Sequence, residues 1–369
     1  MAGLRMKAAV ATAPGSSLEM TEIVLDEPRA DEVLVKMRVS GICHTDINAS
    51  QGRLPVTMPI VLGHEGAGVV ERVGAQVTEV SPGDTVVLVP DFCRDCRQCR
   101  QGHTAYCELA GVLVFGGTRL DGSPKAHRDG EPVRAGFFGE SSFAEYSLAT
   151  ERNVVKVSPD APLHLLASLT CGVNAGAGGI LNGLRVRPQH SVAVFGVGTV
   201  GLAAVMAAAM AGAHEIIAVD RHASRLELAA ELGATGVVNT AEAPDLGQAL
   251  RALAPHGVDR SLDSTGNPAL IQAAIDILAT RGVCGYVSGT GGVPLELDLT
   301  GMLAQGKQLR PLMGGEGTGA VFLRDLIRYF ELGRLPMERL VKTYPFDDIN
   351  AAIADMKSGE TIKPILVFD

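Results

Sequence analysis

The chain has 369 residues, 46 % of them hydrophobic, with 44 glycines and a formal net charge of −9. At roughly 150 residues per domain this length suggests two domains, and the composition excludes a disordered chain. An acidic chain with no long Lys/Arg run excludes a nucleic-acid partner. The longest apolar run, residues 200–213, is shorter than the about 20 residues a membrane span needs. The start, "MAGLRMKAAV", lacks the apolar core of a signal peptide, so a soluble cytoplasmic protein is expected.

The first part of the chain, up to about residue 150, is cut by Gly and Pro into short β-like runs such as "EVLVKMRV" and "GDTVVLVP". Within it, "GICHTDI" (41–47) sets Cys43, His44, Thr45 and Asp46 side by side, and "GHEGAGVVERVG" (63–74) supplies His64 and Glu65 among glycines. Four cysteines follow in "CRDCRQCRQGHTAYC" (93–107), then "FFGESSFAEY" from Phe137 and "LTCGVNAGAGG" (169–179) with Cys171. From about residue 173 the texture changes. The strand candidate "SVAVF" (191–195) leads into "GVGTVG" (196–201) and an alanine-rich helix. Then come "EIIAVD" (215–220), "VDRSLDSTG" (258–266), a helix expected over "PALIQAAIDILAT" (268–280) and a strand over "GVCGYVS" (282–288), where Cys284 is expected in the core. Strands alternating with helices predict βαβ units and a parallel sheet. An amphipathic helix is expected over "AVFLRDLIRYFELG" (320–333), and the chain ends in "IKPILVFD".

"GVGTVG" fits the Gly-x-Gly-x-x-Gly dinucleotide fingerprint in the context that gives it meaning: a strand before it, a helix after it, and an acidic residue ending the next strand. Gly196 permits the turn, Gly198 lets backbone approach a pyrophosphate, and Gly201 lets helix and sheet pack closely. Asp220 is expected on the adenosine ribose, which favours NAD over NADP; Arg221 and Arg225 lie near enough to blur that preference.

Cys93, Cys96, Cys99 and Cys107 follow Cys-x2-Cys-x2-Cys-x7-Cys. Four thiolates on short loops can close a tetrahedral zinc shell, which leaves no room for substrate and so reads as structural. An iron–sulfur cluster fits less well, because the ferredoxin run carries three residues before its fourth Cys and a Pro after it. Cys43, His64 and Cys171 together would make a Cys2His set with one position open, but their spacing alone does not join them.

Taken in order, "GICHTDI", "GHEGAGVVERVG", the four-Cys lobe, "FFGESSFAEY", "TCGVNAGAGG", "GVGTVG" with Asp220, and "IKPILVF" make the chain resemble, nearly end to end, a zinc-dependent alcohol dehydrogenase of the medium-chain dehydrogenase/reductase superfamily. The resemblance is greatest to the aryl-alcohol (benzyl) and geraniol dehydrogenase branch. It implies an α/β chain with a GroES-like β-rich catalytic domain (1–172 and 314–369) and a Rossmann cofactor domain, a doubly wound parallel sheet (173–313). It also implies NAD and two zinc ions per subunit, and a homodimer, suggested by the long connection between Cys107 and Phe137, with a homotetramer as the alternative.

The same resemblance assigns Cys43, His64 and Cys171 to a catalytic zinc and Cys93, Cys96, Cys99 and Cys107 to a structural one. Asp46 is expected behind His64, fixing its tautomer, and Glu65 behind the metal. Thr45 is expected on the substrate oxygen at the head of a proton relay. His44 and Lys363 are expected near cofactor phosphate, together with Arg225 on the cofactor. Where many relatives continue the relay to a His, this chain has Asn48, so the proton is expected to leave through water or His44. Thr45, Leu54, Val89, Phe137 and Phe138 are expected to line an apolar pocket for a small alcohol or aldehyde. The two phenylalanines suit a flat, unsaturated substrate and would equally suit core packing. A glutathione-dependent formaldehyde dehydrogenase is the alternative activity, disfavoured because no Asp or Glu lies between Asp46 and Glu65. A general medium-chain alcohol dehydrogenase and a non-catalytic relative of the same fold are the other readings.

Overall fold

The structure is a computed structural model that describes residues 3–317 and 319–369. The chain divides into two compact units: Met1–Cys171, Thr318–Arg328 and Pro336–Asp369 in the first, Gly172–Gly317 and Tyr329–Leu335 in the second. The sequence places the return of the C-terminal segment to the first domain at 314. The observed division falls a few residues later and leaves the short stretch Tyr329–Leu335 with the second unit.

The first unit is built on two sheets. One runs in the order Ile60–Val61, Leu4–Ala11, Glu19–Leu25, Ala126–Arg128, Glu131–Val133. The other is centred on the ten-residue strand Glu32–Gly41. Gly66–Val73 lies antiparallel along one edge of that strand. Two strands share the other edge: Tyr146–Thr150 pairs with its first half and Lys363–Val367 with its last three residues. With both edges taken and Val33, Leu34, Val35 and Met37 all buried, the run "EVLVKMRV" reads as continuous rather than alternating. Helix Ile349–Ser358 connects the parallel strands Val341–Pro345 and Lys363–Val367.

The second unit is a six-stranded parallel sheet. Numbered along the chain its strands run 3-2-1-4-5-6: Gly236–Asn239, Glu215–Asp220, Ser191–Phe195, Val258–Asp263, Leu278–Tyr286, Gln308–Pro311. This is the doubly wound dinucleotide order, with its crevice where the order reverses, at the carboxyl ends of Ser191–Phe195 and Val258–Asp263. One expected boundary moves. The helix begun at Pro268 ends at Asp276, not at 280, and the next strand starts at Leu278. Leu278 pairs with Val258 ahead of a register shift, and Arg281 takes φ 66°, so sheet pairing claims residues whose local pattern is helical. Cys284 is fully buried in this strand. Among the described residues no single helix is long and apolar enough to cross a membrane.

Candidate active site

Strand register assembles the site. Gly41 pairs with Ile365 on one side, and Ser40 with Gly66 on the other. Gly41 N–H donates to the Glu65 carbonyl and Ile42 N–H to the Pro364 carbonyl, 3.0 Å each. The ladder therefore delivers Cys43, the His64–Glu65 pair and Lys363 to one place. A Cβ at Gly41 would sit 2.1 Å from Glu65 Oε2, so this position has no space for a side chain.

Cys43 is the N-cap of helix His44–Ser50, and its N–H donates to Asp46 Oδ2 at 2.9 Å. The other Asp46 oxygen takes the Gly63 N–H at 3.0 Å and lies 2.8 Å from His64 Nδ1. Against burial, Asp46 and then Cys43 raise the His64 imidazolium well above its ordinary value. With Asp46 holding the proton at Nδ1, Nε2 is the nitrogen that would give up its proton to a metal. That nitrogen lies 3.2 Å from Cys171 Sγ, which is 3.7 Å from Cys43 Sγ. Thr45 Oγ1 is 3.6 Å from Cys43 Sγ. Ligand atoms of Cys43, His64, Glu65 and Cys171 all fall within 4.8 Å of one another. A zinc tetrahedron with arms of about 2.3 Å has edges of about 3.8 Å, which matches the Cys43–Cys171 separation. The donor set fits zinc, with Cys43, His64 and Cys171 as the residues that would hold it.

The electrostatics agree. Cys171's hydrogen bond draws the Cys43 thiol well below its ordinary value against the effect of burial, while the same pairing and burial push Cys171 well above. Two thiols sharing one proton in a buried site are what a dication would convert into two thiolates. Burial raises Glu65 to about 7, opposed by the Lys363 ammonium, with which it is ion-paired. Lys363, expected on cofactor phosphate, is 1 % exposed; its ammonium meets Glu65 and donates to the Ile42 carbonyl at 3.1 Å. The charge read as a phosphate contact is thus spent inside the first unit, on a carboxylate beside the metal cluster.

The segment "FFGES" forms the aromatic side of this site. Phe138 has φ 54°, Gly139 φ 86° and Ser141 φ 57°, a concentration of left-handed backbone that must be held from outside. Ser141 does so: its Oγ takes the Phe137 N–H at 2.8 Å and donates to the Val61 carbonyl at 2.6 Å. Phe138 N–H donates to the Val114 carbonyl at 2.8 Å, and its own carbonyl accepts from Asp91 N–H at 3.1 Å. So pinned, the Phe138 ring lies 4.4 Å from the His64 ring at 31°, and Phe137 meets His64 edge-on at 5.7 Å. Phe137 is wholly buried in the core, as is Val89, whereas Leu54 and Phe138 are only partly buried. Of the expected pocket residues, Phe138 is thus the aromatic one left with open surface.

The second cluster is local. Sγ atoms of Cys93, Cys96, Cys99 and Cys107 lie within 4.8 Å of one another, with Cys93 and Cys99 3.8 Å apart, again a zinc edge. Backbone N–H groups point at the sulfurs: Cys93 to Cys107 at 3.4 Å, Cys96 to Cys93 at 3.2 Å, Cys99 and Glu108 to Cys96 at 3.5 Å each. The Glu108 and Cys99 N–H groups lower the Cys96 thiol to about 6, and all seven cysteines are free of disulfides. Four donors complete the shell, so this lobe fits a structural zinc.

In the second unit, Gly196 sits at φ 79°, and a Cβ at Gly201 would lie 1.8 Å from the Gly196 carbonyl oxygen. Gly198 caps helix Thr199–Met210, whose N-terminus opens directly from the glycine loop. Asp220 accepts from Val197 N–H at 2.8 Å and from Arg221 and His222 N–H at 2.7 and 3.0 Å, so it also braces the glycine loop. Arg225 Nη1 stands 3.9 Å from the Cβ position of Gly198, which puts its guanidinium over the loop.

Residues 29–159 match the alcohol dehydrogenase GroES-like domain, and residues 199–327 match the zinc-binding dehydrogenase domain. The chain belongs to the zinc-binding alcohol dehydrogenases. Geraniol dehydrogenase of Castellaniella defragrans is 40 % identical over 98 % of this chain and 97 % of its own length. The solved structure of benzyl alcohol dehydrogenase from Acinetobacter calcoaceticus shares 39 % identity and a TM-score of 0.94 over 99 % of this chain and 100 % of that one. A zinc-binding alcohol dehydrogenase domain protein from Burkholderia ambifaria shares 45 % identity and a TM-score of 0.95, with 99 % of each chain covered. This zinc alcohol dehydrogenase is an enzyme of zinc-dependent alcohol oxidation, with a GroES-like unit and a parallel-sheet dinucleotide unit.

Three features of the dehydrogenase site have no sequence signal of their own: the Glu65–Lys363 ion pair, the Ser141 brace, and Phe115, whose ring packs edge-on against Phe138 at 5.9 Å. Each joins segments that are not neighbours in the chain.

Proposed function

We propose that this enzyme reversibly oxidises a primary aromatic or allylic alcohol to the aldehyde, with NAD as the hydride acceptor. The observation that carries the substrate class is the Phe138 ring, partly open and stacked on His64. It offers a flat apolar face beside the metal ligands, and aromatic faces favour offset or edge contact with other π-systems. The similarity to geraniol and benzyl alcohol dehydrogenases supports the same reading. Zinc held by Cys43, His64 and Cys171 supplies Lewis-acid polarisation of the alcohol oxygen. The protein's own groups do the rest: Asp46 fixes the His64 tautomer, Thr45 takes the hydroxyl proton at Oγ1, and Lys363 holds the Glu65 carboxylate behind the cluster as its counter-ion. With Asn48 unable to titrate, the proton leaves Thr45 through water or His44. Glycines 196, 198 and 201 bind the dinucleotide, with Arg225 beside them. Asp220 selects NAD, since a carboxylate at the ribose repels a 2′-phosphate. We take the working form as a cytoplasmic homodimer, testable by sedimentation.

The test is NADH formation from NAD with benzyl alcohol, geraniol and 1-hexanol in parallel. A kcat/KM for benzyl alcohol or geraniol well above that for hexanol supports the reading. Equal values would make the enzyme a general primary-alcohol dehydrogenase. Turnover of S-(hydroxymethyl)glutathione alone would favour the alternative, against which stands the absence of an acidic residue between Asp46 and Glu65.

A further inference from the structure

The long connection after the cysteine lobe contributes a second aromatic ring to the site. Phe115 follows the helical turn Ala110–Leu113 and is partly buried against the core of the first unit. Its ring meets Phe138 at 5.9 Å and 81°, an edge-to-face contact. The residue before it, Val114, accepts the Phe138 N–H at 2.8 Å. One short segment thus holds Phe138 by backbone and by ring at the point where its own φ of 54° is unfavourable. Phe138 in turn stacks on His64 at 4.4 Å and touches Phe137 at 4.8 Å. The four rings form one continuous run, Phe115 to Phe138 to His64, with Phe137 closing the inner side.

We propose that Phe115 is a specificity-determining positioning residue: it sets the tilt of Phe138, and so the aromatic wall against which the unsaturated part of the alcohol lies. The inference rests on the aromatic or allylic substrate reading above. It goes further in assigning the preference to a residue of the 108–136 connection. A ring held edge-on by one neighbour keeps a fixed face for substrate. Without that neighbour Phe138 gains rotamer freedom, and a flat substrate loses its partner before a flexible aliphatic one does.

The experiment compares Phe115→Ala and Phe115→Leu with the native enzyme, measuring kcat and KM for benzyl alcohol and 1-hexanol and zinc content per chain. Phe115→Leu keeps most of the volume and serves if the alanine variant does not fold. The expected result is a fall of about three- to tenfold in the benzyl-to-hexanol ratio of kcat/KM, the range of one aromatic pair. The fall should come mainly through KM for benzyl alcohol, with hexanol turnover and two zincs retained. An unchanged ratio, or an equal loss for both alcohols, overturns the proposal while leaving the substrate reading intact. A native enzyme that prefers neither benzyl alcohol nor geraniol over 1-hexanol overturns both, and that arm is read before any variant is made. Where geraniol is the preferred alcohol, it replaces benzyl alcohol in the ratio.

Discussion

The two cysteine clusters use the same chemistry and are assembled in opposite ways. Cys93, Cys96, Cys99 and Cys107 come from fifteen consecutive residues (93–107), with N–H groups of the same loop turned onto their sulfurs. Cys43, His64 and Cys171 come from three distant segments. Strand register brings the helix N-cap and the His64 loop together, and Cys171, the last residue of the first unit's main stretch, meets them by side-chain contact. The local cluster closes its shell with four thiols. The assembled one provides three donors and a carboxylate that an ammonium restrains. A site that must exchange substrate needs an open position and groups around it that hold the ligands without filling it. Only distant segments can supply those independently.

The sharpest way to break the comparison is to remove one donor from each cluster. Cys171→Ser is expected to lower kcat/KM by about a thousandfold or more, the scale of lost Lewis-acid stabilisation, and to leave one zinc per chain by elemental analysis. Full activity with a single zinc in that variant would mean that the wrong cluster has been called catalytic. Cys96→Ser should also leave one zinc, yet turn over substrate at near-native kcat at low temperature. Its cost should appear as a Tm lower by on the order of 5 °C, because the lobe's core is small, Leu113 with Phe92 and Ala110 around the cysteines. A lobe variant that lost activity without losing stability would contradict a purely structural role.

The support around the assembled site can be tested more gently. Asp46→Ala removes the acceptor at His64 Nδ1 and the acceptor for two backbone N–H groups. A loss of about 10- to 100-fold in catalytic-zinc affinity is expected, read by competition with a chelator, while lobe zinc is unaffected. Asp46→Asn, which can still accept, should lose less.

The smallest effect concerns Glu140, fully buried and taking the Gly66 N–H at 3.0 Å, with His64 and Asp46 the charged groups acting on it. Burial pushes its carboxyl up to about 8. The folded state therefore holds a proton that the unfolded chain releases near the ordinary Glu value. Stability from this group is fully present below that value and is lost as pH rises towards about 8. Glu140→Gln cannot ionise, so its Tm relative to native should rise between pH 5 and pH 9. A constant difference across that range would show that Glu140 is not neutral in the fold.

The dinucleotide loop and the cysteine lobe were legible in the sequence because each is a local device: one turn between strand and helix, or one loop closing on itself. The fate of Lys363 was not, since its partner Glu65 is almost three hundred residues away and meets it only through the pairing of Gly41 with Ile365. The end of the helix begun at Pro268 is not legible locally, because "ILAT" suits a helix until the parallel neighbour Val258 claims Leu278.

By itself the sequence determined the strand–helix alternation, the four-cysteine run and the glycine turn, all of which depend on residue type and short spacing, while the Cys43, His64 and Cys171 set and the pocket residues came only with the family resemblance. Tertiary structure alone decided which donors meet, how Ser141 and Val114 hold Phe138 in a left-handed backbone, and that Phe115 stands behind it. The physical reason is range. Covalent geometry and hydrogen bonding between near neighbours can be read along the chain, whereas close packing between segments depends on where the whole core places them.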